Sequence, residues 1–242
     1  MPKHGCLWTE RVSQMPAIKK FDLHVHSIYS KDSATPVERL ADKFASAKFA
    51  GFALTDHGTM DGIKKTKDYI RSRRLPLEFI SGCEFHPHEG EIIGLFIDEM
   101  IHSRDAGELV DQIHSQGGLA ILPHPFDSIR KSACPPSRLP KDVLCRLDGI
   151  ETFNARCGTK GPNEKALAFA KSNHFAQTGG SDSHFLFEAG AGYTIAPKKM
   201  TLKKALLSKS TSAAGSLSPI FVHGPTTLVK YAKKWGLIKR PF

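Results

Sequence analysis

The sequence predicts an α/β fold in which parallel strands are covered by helices, closed as a barrel or open as a sheet. From Lys19 onward, strand-like and helix-like segments alternate, as expected of repeated strand–helix crossovers. The length of 242 residues suits one domain at the lower end of the size range of α/β barrels. The residues able to do chemistry sit at or just past the ends of the strand-like segments. Parallel strands would bring those ends to one face.

Residues 1–17 show no clear periodicity and read as a poorly defined extension; residues 18–242 read as a single domain. FDLHVH is the first strand. TPVERLADKFASAKFAG follows as a helix, with Thr35 expected as N-cap, Pro36 at the first position, Glu38 completing a capping box and Gly51 as the stop. FALTDH is a strand, MDGIKKTKDYIRSR a helix, and LEFISGCEF and GEIIGLFI are strands. AGELVDQIHSQGG is a helix ending at glycine. GLAILPHPF, DGIETFNA and FAQTGGSDSH are strands, with NEKALAFAKSN a helix between the last two and AGYTIAP a candidate final strand.

The net charge of +10 is unevenly distributed. No Asp or Glu follows Glu188, while ten Lys and Arg residues do; the remaining 24 basic residues match the 24 acidic ones. This basic stretch, residues 201–242 above all, is expected on or beside the barrel, as a solvated face or as an attractor of polyphosphates or nucleic acid. No apolar run approaches a membrane span, and the N-terminus lacks the apolar core of a signal peptide. Five cysteines without a CxxC pair argue against a disulfide framework or a zinc ribbon. The composition reads as soluble and cytoplasmic. Trp8 and Trp235 lie outside the motifs and are expected to be packing anchors.

His24 and His26 are two apart on a strand, so both imidazoles face the same side. Asp32 follows in the next loop. Asp56 and His57 end the second strand, Glu84 the third, His124 the strand AILPH, and Glu151 with Asn154 the next; Asp182 and His184 follow TGG. Imidazoles mixed with carboxylates suit zinc, manganese or iron better than calcium or magnesium. Cys83 beside Glu84 reads as a small buried residue.

The stretches DLHVHSIYSKDS, ALTDHGTMDG, ISGCEF, EIIGLFID, QGGLAILPHPFD, IETFNAR and GGSDSH resemble the PHP (polymerase and histidinol phosphatase) metal-dependent phosphoesterases over about residues 18–197. The tail GSLSPIFVHGPTTLVKYAKK is similar to that of small PHP proteins. The resemblance implies a distorted (β/α)7 TIM-like barrel holding two or three divalent ions (Mn, Zn or Fe). Carried over by motif, His24, His26, Glu84 and Asp182 would hold one ion, Asp32, His57 and His184 a second, and Glu84 with His124 a third. Many relatives have a histidine where this chain has EIIG, with Glu91 as the nearest match, so at the third site Glu91 would serve as an oxygen ligand, His86 or His88 would move in, or the site would be empty.

The implied activity is hydrolysis of a phosphate ester by a metal-bridged hydroxide, with a protonated histidine (His57 or His184) or a metal-bound water assisting the leaving oxygen and Arg130 and Arg156 clamping the phosphate. The expected substrate is a phosphorylated small molecule or nucleotide, or an oligonucleotide. A nucleic-acid-binding or regulatory protein with little catalysis is the alternative, and an amidohydrolase is a third reading that the motif order disfavours.

Overall fold

A computed structural model describes residues 17–239; the extension expected at the N-terminus, Cys6, Trp8 and Arg240 lie outside the described residues, residue 17 excepted. The elements are β1 (Ile18–Asp22), α1 (Val37–Ser46), β2 (Gly51–Leu54), α2 (Asp61–Ser72), β3 (Glu78–Phe85), β4 (Ile92–Leu95), α3 (Ala106–Ser115) and β5 (Leu119–Leu122). They continue with α4 (Lys141–Arg146), β6 (Gly149–Asn154), α5 (Gly161–Ser172), β7 (Ala176–Gly180), β8 (Gly192–Pro197), α6 (Leu202–Leu207), β9 (Ser212–Gly215) and α7 (His223–Lys234).

Strands β1 to β8 pair in chain order and β8 pairs back with β1, closing a barrel, while β9 adds to β8. The β1–β2, β2–β3, β5–β6 and β6–β7 pairs are parallel. Strand β4 is antiparallel to both neighbours, and β8 is antiparallel to β7, β1 and β9. The TIM-like barrel is therefore distorted, as expected, and the distortion has a cause. Only residues 86–91 separate β3 from β4, which is enough for a hairpin but too short for a parallel crossover. AGYTIAP is the eighth strand, β8, and completes the ring.

The barrel interior is filled by Phe21, Leu23, Ile80, Ile93, Leu119 and Ile121, and α6 inserts Leu202, Ala205 and Leu206 into the same cluster. Helix α6 thus plugs the end of the barrel opposite the C-terminal ends of the parallel strands. Outside, α1 buries Val37, Leu40, Ala41 and Phe44, an i, i+3, i+4, i+7 stripe, and Phe44 stacks on Phe52 of β2 at 4.6 Å. Each such large side chain is worth about 1.5–3 kcal/mol of burial. Helices α3, α4 and α5 cover the opposite side with Leu109, Ile113, Val143 and Ala166.

Two details of α1 differ from the expectation. Its N-cap is Pro36, with no side-chain cap, because the Thr35 hydroxyl donates instead to the carbonyl of His184 at 3.2 Å, alongside Ser33 Oγ at 2.8 Å. A long-range acceptor has won over the local capping box. The helix stops at Ala47 and Lys48, the latter with φ 58°. Gly51 instead begins β2, where a Cβ would fall 1.9 Å from the Glu78 carbonyl oxygen. Among the described residues Cys83, Cys134, Cys145 and Cys157 are free thiols. No described helix is long and apolar enough to cross a membrane.

Candidate metal centre

The parallel strands deliver the candidate residues to one rim. His24 and His26 leave β1, His57 leaves β2, Glu84 belongs to β3, His124 follows β5, Glu151 and Asn154 belong to β6, and Asp182 and His184 follow β7. Because β4 runs backwards, Glu91 at its start reaches the same rim. His124 and Asp182 have φ values of 30° and 54°, a region that non-glycine residues seldom occupy and that costs backbone energy. At Gly180 a Cβ would lie 2.3 Å from His24 Cβ, so glycine lets β7 approach close enough to seat Asp182 beside His24.

Three groups form. In the first, His24 Nε2 and His26 Nε2 are 3.1 Å apart; both lie 3.4 Å from Glu84 Oε2, and 3.7 and 3.4 Å from Asp182 Oδ1. In the second, Asp32 stands between His57 Nε2 at 3.4 Å and His184 Nε2 at 3.3 Å. In the third, His124 Nε2 lies 3.4 Å from Glu84 Oε1 and 3.5 Å from Glu91 Oε2. Glu84 joins all three, since His57 Nδ1 is 2.9 Å from its Oε2. His86 flanks the third group, its Nδ1 3.3 Å from Glu91 Oε1 and its Nε2 3.1 Å from His57 Nδ1. His88 is exposed and joins no group among the described residues.

These residues fit divalent cations. Glu84 Oε1, Glu91 Oε2, Asp182 Oδ1 and His124 Nε2 are buried without a hydrogen-bond partner, an arrangement costly for any unpaired anion in a dry interior. The 3.3–3.7 Å separations exceed ordinary hydrogen bonds and match the edge of about 3.4 Å between ligands of a tetrahedral ion bound at about 2.1 Å. A cation at each focus would satisfy the orphaned oxygens at once.

The electrostatics show how tightly the groups are coupled. Burial opposes charge on Glu84, but the His24 and His57 imidazoles outweigh it and hold the carboxyl well below its usual range. For Asp182, burial is likewise overcome by Arg130 and His24. Burial also opposes the His57 imidazolium, yet Glu84 and Asp32 push its pKa up to about 10. His26 goes the other way: burial, then His57 and His184, hold it well below 6.5. Burial and the nearby Glu84 raise Glu91. Without cations, protons supply the positive charge that the carboxylates need.

Around the groups lies a supporting layer that motif spacing shows poorly. Glu151 Oε1 accepts from His24 Nδ1 at 3.0 Å, while its Oε2 accepts from His124 N and Asn154 Nδ2, each at 2.9 Å. With Nδ1 so engaged, His24 turns its Nε2 to the cluster, the nitrogen that a metal-bound imidazole presents to its ion. Asp22 accepts from the backbone of Ser181 and Gly190, each at 2.9 Å, and so clasps the 181–191 loop; burial pushes its pKa up to about 7. Asp56 accepts from Ser27 N and Ser27 Oγ, each at 2.6 Å, so it supports the turn after β1. Cys83 is fully buried, and its thiol donates to the Asp56 carbonyl.

Arg130 contacts Asp182 Oδ2 through Nη1 and Asp127 Oδ2 through Nε at 3.2 Å. It opens onto a cavity of about 380 Å³ at the rim, which Lys31, His57, Glu91, His184 and Lys230 also line. Arg156 reaches the same cavity but spends its donors on protein: Nε faces Glu188 at 3.3 Å, Nη1 abuts His184 Nδ1, and Nη2 donates to Thr226 Oγ1 at 2.7 Å. It braces His184 against α7. Lys233, also on α7, donates from Nζ to Ser30 O at 2.6 Å and to Ile28 O, and Ser30 Oγ donates to Asp32 at 2.9 Å. Trp235, expected to anchor packing, is instead 70% exposed, because α7 turns its other face to the rim.

Comparison with known proteins agrees with the fold. An uncharacterised protein of Methanocaldococcus jannaschii is 39% identical over 178 residues, 72% of this chain and 69% of that protein. The 5′-3′ exoribonuclease Rnm of Escherichia coli is 34% identical over 82 residues, 32% of this chain and 28% of the enzyme. A two-domain protein of Bacteroides vulgatus, with a PHP-like metal-dependent phosphoesterase predicted within it, superposes with a TM-score of 0.69 at 16% identity, covering 88% of this chain and 70% of that one. The PHP domain profile matches residues 22–235, and the chain belongs to the PHP domain family.

Proposed function

We propose that this protein is a metal-dependent phosphoesterase that hydrolyses a phosphomonoester or phosphodiester of a small metabolite, nucleotide or oligonucleotide. The observation that carries the reading is the set of orphaned carboxylate oxygens of Glu84, Glu91 and Asp182 interleaved with imidazoles beneath an open cavity. His24, His26, Glu84 and Asp182 are assigned to one ion, Asp32, His57 and His184 to a second, and Glu84, Glu91 and His124 to a third. Manganese, zinc or iron suits the mixed nitrogen and oxygen donors. Such ions polarise phosphoryl oxygens and acidify a bound water.

The chain's own residues do the rest. Arg130, held by Asp127 and Asp182 at the cavity wall, is placed to clamp phosphate oxygens. Arg156 positions His184 and α7, and Glu151 fixes the ring of His24. His57 and His184 line the cavity, where the reacting phosphate would sit. Glu91 supplies an oxygen ligand beside His124, so the ligand set needs no histidine at that strand, which favours catalysis over a purely binding role.

Metal analysis after separate reconstitution with manganese, zinc and iron, followed by turnover of phosphomonoesters, phosphodiesters and short oligonucleotides, tests the proposal. At least two ions per chain and hydrolysis of one substrate class are expected. His26→Ala and Asp182→Ala should lose metal and turnover while keeping the fold. A wild-type chain that stays metal-free with all three metals supplied, or hydrolyses none of these esters, overturns it.

A further inference from the structure

The feature least explained by the metal centre is the outer surface of α7. On this helix Lys230 and Lys234 form one i, i+4 row, and Tyr231 with Trp235, the residue that caps its C-terminus, forms the adjacent row, with successive members about 6 Å apart along the axis. The Tyr231 and Trp235 rings lie 5.7 Å apart, tilted by 33°, and are 46% and 70% exposed. Leu228, 70% exposed, extends the apolar row by one turn. An exposed tryptophan beside a tyrosine is an unusual use of apolar surface and marks a contact site.

The lysine row opens onto a groove of about 580 Å³ lined by Lys31, Lys230, Lys233, Lys234, Ile238 and Lys239. Lys31 and Lys230 also line the cavity above the metal centre, so groove and cavity adjoin. No acidic residue follows Glu188, and the groove therefore carries an unbalanced positive field that leads to the candidate phosphate site.

We propose that α7 is a docking helix for a single-stranded nucleic acid, whose phosphates follow the groove of Lys31, Lys230, Lys234 and Lys239 while its bases stack on Tyr231 and Trp235. It directs the end of the strand into the metal centre, a step that rests on the phosphoesterase reading; binding itself does not. A positive groove edged with aromatic rings is the recurring solution for unpaired strands, because every base offers a ring face and every linkage a charge. A duplex hides its base faces. An anionic bilayer would take up the apolar row but would not enter the groove that joins the cavity. A second copy of the chain would set one lysine row against another.

Binding of a labelled twelve-nucleotide single strand to the full-length chain in chelator, where no ester is cleaved, tests the proposal. Trp235→Ala should weaken binding by about fivefold or more, Trp235→Phe should retain most of it, and Leu207→Ala, an exposed residue on α6, should change nothing. Replacing Lys230, Lys234 and Lys239 with Gln should make the dependence of log K on log salt shallower by about two. Wild-type affinity in Trp235→Ala, equal affinity for a duplex of the same sequence, or Trp235-dependent binding to phosphatidylserine vesicles in place of the oligonucleotide would overturn it. Wild-type turnover of a small phosphomonoester reports separately on the catalytic reading, so either proposal can fail alone.

Discussion

Replacing Glu151 with Gln exchanges one buried carboxylate oxygen for an NH2 group and should disable the candidate metal centre without touching a candidate ligand. The carboxylate receives three donors: His24 Nδ1 at 3.0 Å, His124 N at 2.9 Å and Asn154 Nδ2 at 2.9 Å. A carboxylate can accept all three, whereas an amide has one oxygen and a donating nitrogen. With its oxygen toward His24, the amide nitrogen confronts the donors of His124 and Asn154. Turned over, it faces His24 Nδ1 and drives that ring's proton to Nε2, the atom aimed at the cluster. Asn154 cannot flip in compensation, because its Nδ2 also donates to Asp182 and its Oδ1 accepts from Arg156 N. One or two unsatisfied buried donors cost about 1–3 kcal/mol each. At roughly 2–4 °C per kcal/mol for a chain of this size, the midpoint in chelator should drop by at least about 2 °C. Metal affinity, read by competition with a chromophoric chelator, should fall about 10- to 100-fold. A Gln variant that melts with wild type and binds metal with wild-type affinity would refute this account of His24.

Three further outcomes are expected. Glu91→Ala should lower bound metal by about one equivalent and Glu91→His should restore it; unchanged stoichiometry in the alanine variant rules out ligation by Glu91. His57 must shed a proton to ligate, and its pKa is raised to about 10, so the affinity of its ion should rise by about one log unit per pH unit between pH 6 and 9, with a flat profile from competition titrations counting against the arrangement. Gly180→Ala would press a Cβ to 2.3 Å from His24 Cβ, so it should cost about 1–3 kcal/mol and weaken metal binding; Gly224→Ala, which meets nothing within 4 Å, serves as the control, and equal melting midpoints for the two would undo the close-approach argument.

What the sequence disclosed and what it hid divide along the range of the interaction. The candidate ligands were legible because strand ends are local features and His, Asp and Glu announce their chemistry wherever they stand. The backward course of β4 was hidden in its apolar run, which reads alike in both directions; only the short span from Phe85 to Ile92 hints at a hairpin. Thr35 carries a sound local capping pattern, yet its hydroxyl serves a carbonyl 149 residues away. Glu151 was visible at a strand end, but its partnership with His24 spans 127 residues and depends on how the barrel closes. Trp235 shows the converse failure: its large apolar ring suggests burial, and only the orientation of α7, fixed by Lys233 and Arg156, turns it to solvent.

The reversal of β4 separates the third group from the rest in how it can vary. Most candidate ligands hang from parallel strands, so changing their reach means shifting a register shared around the whole ring. Glu91 and His86 belong to a hairpin turn whose length and sequence can drift while the strands stay in place. One corner of the centre can therefore trade an imidazole for a carboxylate, altering ion preference and local charge, while the barrel beneath it is unchanged.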